Sequence, residues 1–308
     1  QRKDFDKALE QGYKVVDTIP PEANELIFAI LRRKGFTADA LQLILKFHES
    51  NPGDARATLE TGITYALMQN FEKAESWMDR AIALKPDSFN AHFYRLFLEL
   101  NRGKIRSCYN MIKNIPSSVN TKQMQAVFFC ILSNRKYEEA LKFVKNTPDE
   151  IHVDQVEYMP RDTLYGLVYK LMNQSEKSRE HLKKAMLHFD NLPKEKMEDY
   201  RVHLSLSLTL ALLGNFEKAI EHGKLALKMV PIYKDIINCP IVESNFAEVL
   251  TIAGKYDEAL EIIERVLGRR FRHTLPLFTN NPIFDPLENH PRMIELKKQY
   301  AYQYPKED

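Results

Sequence analysis

A five-residue pattern recurs along this 308-residue chain, and it constrains the fold more than any other feature. Each clear copy has a polar residue, an aromatic residue, two charged residues and then Ala. The clear copies are Asp4–Ala8, Asn70–Ala74, Lys136–Ala140, Asn215–Ala219 and Lys255–Ala259. Weaker copies place Ala40, Cys108 and Ser178 at the small-residue position, so that successive small residues lie 32 to 41 positions apart. A period of this length indicates a chain built from stacked supersecondary units.

Each unit contains two helical stretches. The apolar residues that follow the copy at 70–74 are spaced as on one helix face, and they are Met78, Ala81, Ile82 and Leu84. Pro86 lies where this helix has to end. Upstream, Gly62 and Tyr65 are three positions apart and therefore share one face of an earlier helix. Because the small residues let two antiparallel helices approach closely, the pattern predicts a stack of helical hairpins.

The unit 55–88 resembles the tetratricopeptide repeat (TPR) family, with the family's residue types at five offsets: Gly62, Tyr65, Ala74, Ala81 and Pro86. The resemblance implies an all-α fold, a right-handed α-solenoid of about seven TPR-like helix pairs with a C-terminal capping helix. The expected units are 21–54, 55–88, 89–120, 121–150, 159–191, 200–233 and 240–273, with a half-unit at 1–20.

We expect one superhelical region, 1–273, followed by a capping segment, 274–308. Extra residues near 147–160 and 189–200 are expected to lengthen helices or loops, and the superhelical path can change near 147–160. Pro291 begins the expected capping helix. The stretch 281–292 resembles the end of TPR regions in bacterial signalling proteins that carry a cyclase, kinase or DNA-binding domain elsewhere. Since the chain starts with Gln rather than Met, it is expected to be a fragment, with any such domain outside it.

The resemblance also implies that the first helix of each unit lines a concave groove that binds an extended or helical peptide. The groove positions of unit 55–88 are Arg56, Leu59, Ile63, Ala66 and Leu67. Those of unit 200–233 are Arg201, Leu204, Leu208, Ala211 and Leu212. Both sets describe an apolar floor with one Arg at the rim, and the protein's own tail can equally cover such a floor.

One TPR subclass clamps the acidic C-termini of cytosolic chaperones with Lys, Asn and Arg. This chain departs from that pattern, because the corresponding positions are Glu25, Ala29, Glu60, Asn90 and Tyr94. Two carboxylates at these places would repel an acidic tail, so no co-chaperone role is expected.

The sequence therefore predicts a non-enzymatic protein-interaction module or scaffold, the regulatory part of a bacterial signalling protein. A protein or peptide is the expected partner, with no cofactor and no metal. Phosphate-loop, H-E-x-x-H and G-x-S-x-G motifs are absent from the sequence. Two alternatives stay open: an RNA-binding helical repeat, which the net charge of +2 opposes, and an enzyme of unrecognised type.

Other residues with reactive side chains receive structural interpretations. His181 and His188 are seven positions apart, and the spacing does not favour a metal site. The basic stretch 265–273 is interpreted as a helix C-terminus stabilised by cations. Three dispersed cysteines predict reduced thiols. No apolar run is long enough for a membrane span, a cytoplasmic rather than periplasmic location is expected, and no particular oligomeric state is predicted.

Overall fold

The structure is a computed structural model, and it describes residues 21–113, 115, 125–147, 150–153 and 156–303. Within these ranges the chain forms seven consecutive helical hairpins, as the repeat predicts, while the expected half-unit at 1–20 lies outside them. The paired helices are α1 (Pro21–Arg33) and α2 (Thr37–Ser50), α3 (Ala55–Leu67) and α4 (Phe71–Leu84), α5 (Phe89–Asn101) and α6 (Ile105–Lys113), α7 (Gln125–Ser133) and α8 (Tyr137–Lys145), α9 (Arg161–Leu171) and α10 (Ser175–Asp190), α11 (Tyr200–Leu213) and α12 (Phe216–Met229), and α13 (Asn238–Ile252) and α14 (Tyr256–Gly268).

Small residues set the distance between the two helices of a hairpin. A Cβ atom placed on Gly62 would lie 2.8 Å from Met78 Cγ, and one on Gly166 would lie 2.4 Å from a methyl carbon of Leu182. The small residues of the repeated pattern are fully buried at Ala40, Ala74, Cys108, Ala140, Ala219 and Ala259. Close helix packing therefore explains why the pattern requires a small side chain at this place.

Each of the seven described hairpins turns through one residue with a left-handed backbone. Four of these residues are glycines, which adopt positive φ without steric cost: Gly35, Gly103, Gly214 and Gly254. The other three are Gln69, Arg135 and Asn173, with φ of 57°, 57° and 58°. A left-handed backbone costs a residue with a Cβ about 1–2 kcal/mol, so the geometry of the hairpin imposes these turns against local preference.

A β-hairpin follows the fourth helical hairpin. Strands β1 (Ile151–Val153) and β2 (Tyr158–Pro160) pair antiparallel, with His152 opposite Met159. The connection near 147–160 is long, as expected, but the strand pairing within it was not predicted, and it satisfies the backbone groups of these extended residues. The other insertion does contain a longer helix, since α10 has 16 residues and a 3₁₀ turn follows at Lys194–Glu198.

The chain from 269 to 303, called here the C-terminal segment, runs back over the inner face of the stack. It contains α15 (Leu275–Thr279), a 3₁₀ turn (Pro282–Leu287), α16 (Pro291–Gln299) and a final 3₁₀ turn (Ala301–Gln303). Helix α16 lies against α14, where Arg292 pairs with Glu264 at 2.7 Å, as expected of a capping helix. The segment's buried apolar side chains are Leu275, Phe278, Ile283, Phe284, Leu287, Met293 and Leu296.

Polar contacts hold the C-terminal segment against helices far away in the sequence. Thr274 Oγ1 donates to the carbonyl of Asn101 at 2.5 Å, at the end of α5. Asn281 Nδ2 donates to Glu248 Oε1 at 2.8 Å, on α13. Arg135, in the turn after α7, pairs with Asp285 at 2.6 Å. The segment is thus docked on hairpins from both halves of the stack.

The stack also closes on itself. Arg33, at the end of α1, pairs with Asp235 at 3.0 Å, and the Ile236 amide donates to the carbonyl of Arg33 at 3.1 Å. The first hairpin therefore contacts the loop between α12 and α13, more than 200 residues later in the chain. Because of this contact, residues from the first hairpin and from the loop before α13 line one central space.

The cysteines differ from the expectation of three reduced thiols. Cys108 on α6 and Cys130 on α7 are joined in a disulfide, with their Cα atoms 6.2 Å apart, so the expectation is wrong for this pair. Packing of α6 against α7 brings the two residues together, and their separation of 22 positions does not reveal it. Cys239 is free and buried, and burial raises the pKa of its thiol to about 11.

Candidate functional site

The inner helices of the first three hairpins enclose a central cavity of about 1360 Å³. All five groove positions expected in unit 55–88 line it: Arg56, Leu59, Ile63, Ala66 and Leu67. Leu59, Ile63 and Leu67 are buried and form the floor, Ala66 is partly buried, and Arg56 is exposed. The 3.6-residue period of α3 places these residues on one face of the helix. Helix α4 packs against α3 from behind this face.

The positions expected in unit 200–233 are divided between different environments. Arg201 lines both the central cavity and a second, smaller pocket, and Leu204 and Leu208 line only the smaller one. Ala211 and Leu212 are buried in the main core. The structure therefore brings Arg201 together with the unit 55–88 positions and places the other four residues elsewhere.

An aromatic wall on α5 faces the central cavity and was not among the sequence-predicted residues. It consists of Phe89, Phe93, Tyr94 and Phe97. The rings of Phe93 and Phe97 are parallel within 5°, with centroids 6.4 Å apart, and Tyr94 meets Phe93 edge-on at 5.2 Å. The spacing of Phe89, Phe93 and Phe97 at every fourth position was a signal in the sequence that could have identified this wall.

Three arginines on the cavity wall have carboxylate partners. Arg32 pairs with Glu60 and donates from Nη1 to Thr64 Oγ1 at 3.0 Å. Arg33 pairs with Asp235 at 3.0 Å. Arg201 forms a fork with Asp199, with Nε and Nη2 donating at 3.0 and 2.6 Å. Such paired guanidinium groups contribute little net charge to the cavity.

Arg272 differs from these three arginines in the contacts of its side chain. Its backbone has a φ of 49°, its amide donates to the carbonyl of Leu67 at 3.3 Å, and its guanidinium lies 5.3 Å from the centroid of the Phe97 ring. Nε is buried, and no group in the described part of the chain accepts a hydrogen bond from it. Burial lowers the pKa of this guanidinium. Sequence analysis placed Arg272 in a basic helix end, but the left-handed turn directs its side chain into the cavity.

The smaller pocket lies beside the β-hairpin and is mostly apolar. His152, Val156 and Arg201 line both it and the central cavity, so the β-hairpin separates the two. Glu248 lies in the smaller pocket, and burial raises the pKa of its carboxyl to about 8. Ile283 of the C-terminal segment forms part of the pocket wall, which means that this half of the concave face is covered by the protein itself.

The histidines singled out in the sequence have separate local partners. His181 Nδ1 is 2.6 Å from Asp162 Oδ1, and its ring stacks on Tyr165. His188 Nε2 is 2.6 Å from the hydroxyl of Tyr158. Across the described ranges, no group of three or more His, Cys, Asp and Glu side chains is arranged to hold a metal ion.

The basic stretch 265–273 splits into separate environments. Arg265 and Arg269 both pair with Glu243 on α13, which agrees with the structural interpretation of these two residues. Arg270 is exposed, and Arg272 lines the cavity. His273 is buried, and burial lowers the pKa of its ring to about 3. The stretch is therefore not one continuous basic surface.

Comparison with known proteins gives a family match. Residues 30–89 match the family model described as "Tetratricopeptide repeat", which covers the second helical hairpin and most of the first. The sequence matches no curated protein. No helix in the described part of the chain combines the length and the apolar character that crossing a membrane requires.

Several solved structures are similar in fold. The Cut9-Hcn1 hetero-tetramer of APC/C is 14% identical with a TM-score of 0.49, and the match covers 96% of this chain and 52% of that one. A tetratricopeptide repeat protein from Parabacteroides merdae is 13% identical with a TM-score of 0.32, with 95% and 93% covered. Naa15/Naa10 bound to HypK-THB is 16% identical with a TM-score of 0.39, with 93% and 43% covered. This chain thus spans about half the length of the Cut9-Hcn1 chain.

These three likenesses have low identity and TM-scores below 0.5, so no property of those complexes is transferred to this chain. The assignment depends on the family match over 30–89 and on the hairpins that continue the same arrangement on the C-terminal side. Residues 30–89 therefore contain tetratricopeptide repeats, and the hairpins on their C-terminal side continue the same helical arrangement.

Proposed function

We propose that this protein is an interaction scaffold that binds a peptide segment of a partner protein in the central cavity. The observation that carries the proposal is a wide cavity lined by an apolar floor and an aromatic wall. The floor of Leu59, Ile63 and Leu67 faces a space of about 1360 Å³, beside the α5 aromatic wall. Burying such surface against a peptide contributes about 25 cal/mol per Å².

The polar groups of the cavity support a peptide ligand. Arg56 and Lys85 are exposed on the cavity lining, and Asn90 and Ser88 lie beside them. Side chains of this kind bind the main-chain carbonyls of an extended peptide, while the apolar floor takes alternate side chains. The expected groove positions Arg56, Leu59, Ile63, Ala66, Leu67 and Arg201 thus form one surface in this proposal. A place within a bacterial signalling protein remains a prediction from the resemblance.

The experiment begins with a selection of nine-residue peptides from a random display library against the full chain. Ala66→Arg places a long charged side chain in the cavity from a partly buried position, so the selected peptides should lose about tenfold or more in affinity. Ala83→Arg is the matched control, because Ala83 is an exposed helical alanine on α4 that does not line the cavity.

Affinity is measured by fluorescence anisotropy on both variants, with circular dichroism to confirm that each one is folded. The proposal predicts that A83R binds like the unchanged protein. Equal binding by A66R would show that the selected peptides bind elsewhere, and the central cavity would lose its assignment.

A further inference from the structure

One arginine of the central cavity differs from three others in its partners. The guanidinium groups of Arg32, Arg33 and Arg201 each face a carboxylate of this chain, namely Glu60, Asp235 and Asp199. The contact that the structure shows for the Arg272 guanidinium is the face of the Phe97 ring. Its Nε, like that of Arg32, is buried without an acceptor among the described residues.

A buried guanidinium nitrogen without an acceptor is energetically unfavourable. Removal of a charged donor from water is costly unless an acceptor replaces the lost hydration. The face of Phe97 offsets part of this cost through a cation–π interaction. A planar guanidinium stacked on a ring keeps its edge available, and that edge matches the two oxygens of a carboxylate.

The backbone holds Arg272 in this position. Arg270 and Arg272 both have left-handed conformations, with φ of 48° and 49°, and the Arg272 amide is bonded to the carbonyl of Leu67. The next residues are anchored as well, since Gln69 Nε2 donates to the carbonyl of His273 at 3.2 Å and Thr274 bonds to Asn101. Little ordering of Arg272 would therefore be needed when a ligand arrives.

We propose that Arg272 is the recognition point for an acidic side chain of the partner peptide, which extends its carboxylate into the central cavity. Apolar residues on either side of that acidic residue pack against Phe93 and Phe97 and against the floor at Ile63 and Leu67. The ligand class is thus an extended peptide in which one Glu or Asp lies among apolar residues. This inference rests on the proposed function and adds the chemistry of the ligand to it.

The surroundings favour a single carboxylate. Glu60 and Asp235 also lie near the cavity, but each is paired with another arginine, so the Arg272 guanidinium beside Phe97 has no carboxylate salt-bridge partner among the described residues. The aromatic wall and the leucine floor leave little solvation for a second ionised group on the peptide. A run of several acidic residues would therefore bind less well than one acidic residue with apolar neighbours.

Two pools of peptides test the proposal. Both contain fluorescein-labelled nine-residue peptides with an acetylated N-terminus, an amidated C-terminus and random Leu, Phe, Val, Ala and Ser at eight positions. The central residue is Glu in one pool and Gln in the other, so the Glu side chain is the single carboxylate of the peptide sequence. Binding to the full chain is measured by fluorescence anisotropy, and the Glu pool is expected to bind about tenfold more tightly or better.

Variants at Arg272 then test whether this residue causes the preference for the Glu pool. Arg272→Gln should bind the two pools alike, and Arg272→Lys, which keeps the charge and loses the planar fork, should retain a reduced preference. Arg270→Gln is the matched control, because it removes one arginine with the same backbone conformation from an exposed position outside the cavity, and it should keep the full preference. If circular dichroism shows that R272Q is unfolded, binding of the two pools by R272K is the test.

The outcomes separate the two proposals. Equal binding of the Glu and Gln pools by the unchanged protein would overturn the carboxylate ligand and leave the peptide-binding function standing. The role of Arg272 would be overturned if R272Q still bound the Glu pool more tightly than the Gln pool. If R272Q is unfolded, an undiminished preference for the Glu pool in R272K would overturn it. Binding of neither pool would contradict the inference and count against the proposed function as well, and the display selection with A66R would then decide that function separately.

Discussion

The two halves of the concave face are built from the same repeat, but they have different surfaces. In the half formed by α1, α3 and α5, the groove positions Leu59, Ile63 and Leu67 line an open cavity. In the half formed by α11 and α13, the equivalent positions Leu204 and Leu208 line a small covered pocket, and Ala211 and Leu212 belong to the core. The C-terminal segment contributes to this difference, because its 3₁₀ turn Pro282–Leu287 packs against α13 and Ile283 lines the small pocket.

A groove position therefore has no fixed role in a repeat protein. Buried apolar side chains at equivalent positions line a wide cavity in one half and a small pocket in the other. The extent of the C-terminal segment therefore determines which part of the inner face can act in binding.

The largest expected effect comes from removing one ring from each half. Phe284→Ala removes a buried ring of the C-terminal segment that packs against α13 and should lower the free energy of unfolding by about 3–5 kcal/mol. Phe93→Ala removes a partly buried ring from the open cavity and should cost about 1–2 kcal/mol, because less apolar surface is lost. Urea denaturation of both variants checks the comparison. Similar losses would mean that the covered half is no better packed than the open one.

A second prediction concerns the pH dependence of the covered half. The pKa of Glu248 is raised to about 8 from an ordinary value of 4.5, mainly by burial. The folded protein therefore binds a proton that the unfolded chain has released between these values. The free energy of unfolding should then decrease as the pH rises from 4.5 to 8, by up to about 1.4 kcal/mol per pH unit.

Glu248→Gln should remove this decrease, because the amide stays neutral and its oxygen can still accept from Asn281. The measurement is the urea midpoint at pH 5, 6, 7 and 8 for both proteins. At pH 8 the variant is expected to be the more stable one. Parallel curves for the two proteins would show that Glu248 does not titrate in this window.

The smallest expected effect concerns the hairpin turns. Asn173→Gly should stabilise the protein by about 0.5 kcal/mol, because glycine adopts the left-handed backbone of this turn more easily. Arg135→Gly gives the same relief but removes the hydrogen bond to the Asn280 carbonyl and the ion pair with Asp285, so it should not stabilise. Thermal unfolding of both variants provides the comparison. A gain in R135G equal to that in N173G would show that the contacts with the C-terminal segment contribute nothing.

Local signals in the sequence were sufficient to predict the seven hairpins and their boundaries. Small residues such as Gly62 and Ala74 mark the close approach of two helices that are neighbours in the chain, and Pro86 marks an end. The same reasoning placed Arg56, Leu59, Ile63, Ala66 and Leu67 on one face, and the structure has all five on one cavity. Whether they bind a peptide is still a prediction.

Features that depend on distant contacts could not be predicted in this way. The hydrogen bond from Thr274 to Asn101 joins residues 173 positions apart, and no local sequence pattern predicts it. Arg272 is separated from the rest of its basic stretch by a left-handed turn without glycine, which residue preferences disfavour. The pairing of Cys108 with Cys130 and the short β-hairpin likewise depend on how neighbouring helices meet.

The contact between Arg33 and Asp235 has a consequence for how the protein loses its structure. In an open array of repeats, each hairpin touches only its neighbours, so the ends can fray while the middle stays intact. Here the first described hairpin touches the loop between the sixth and seventh, and residues 269–303 contact hairpins from both halves, so neither end of the array formed by 21–303 is free. Melting should accordingly proceed in one cooperative step that involves the whole stack, as in a small globular domain.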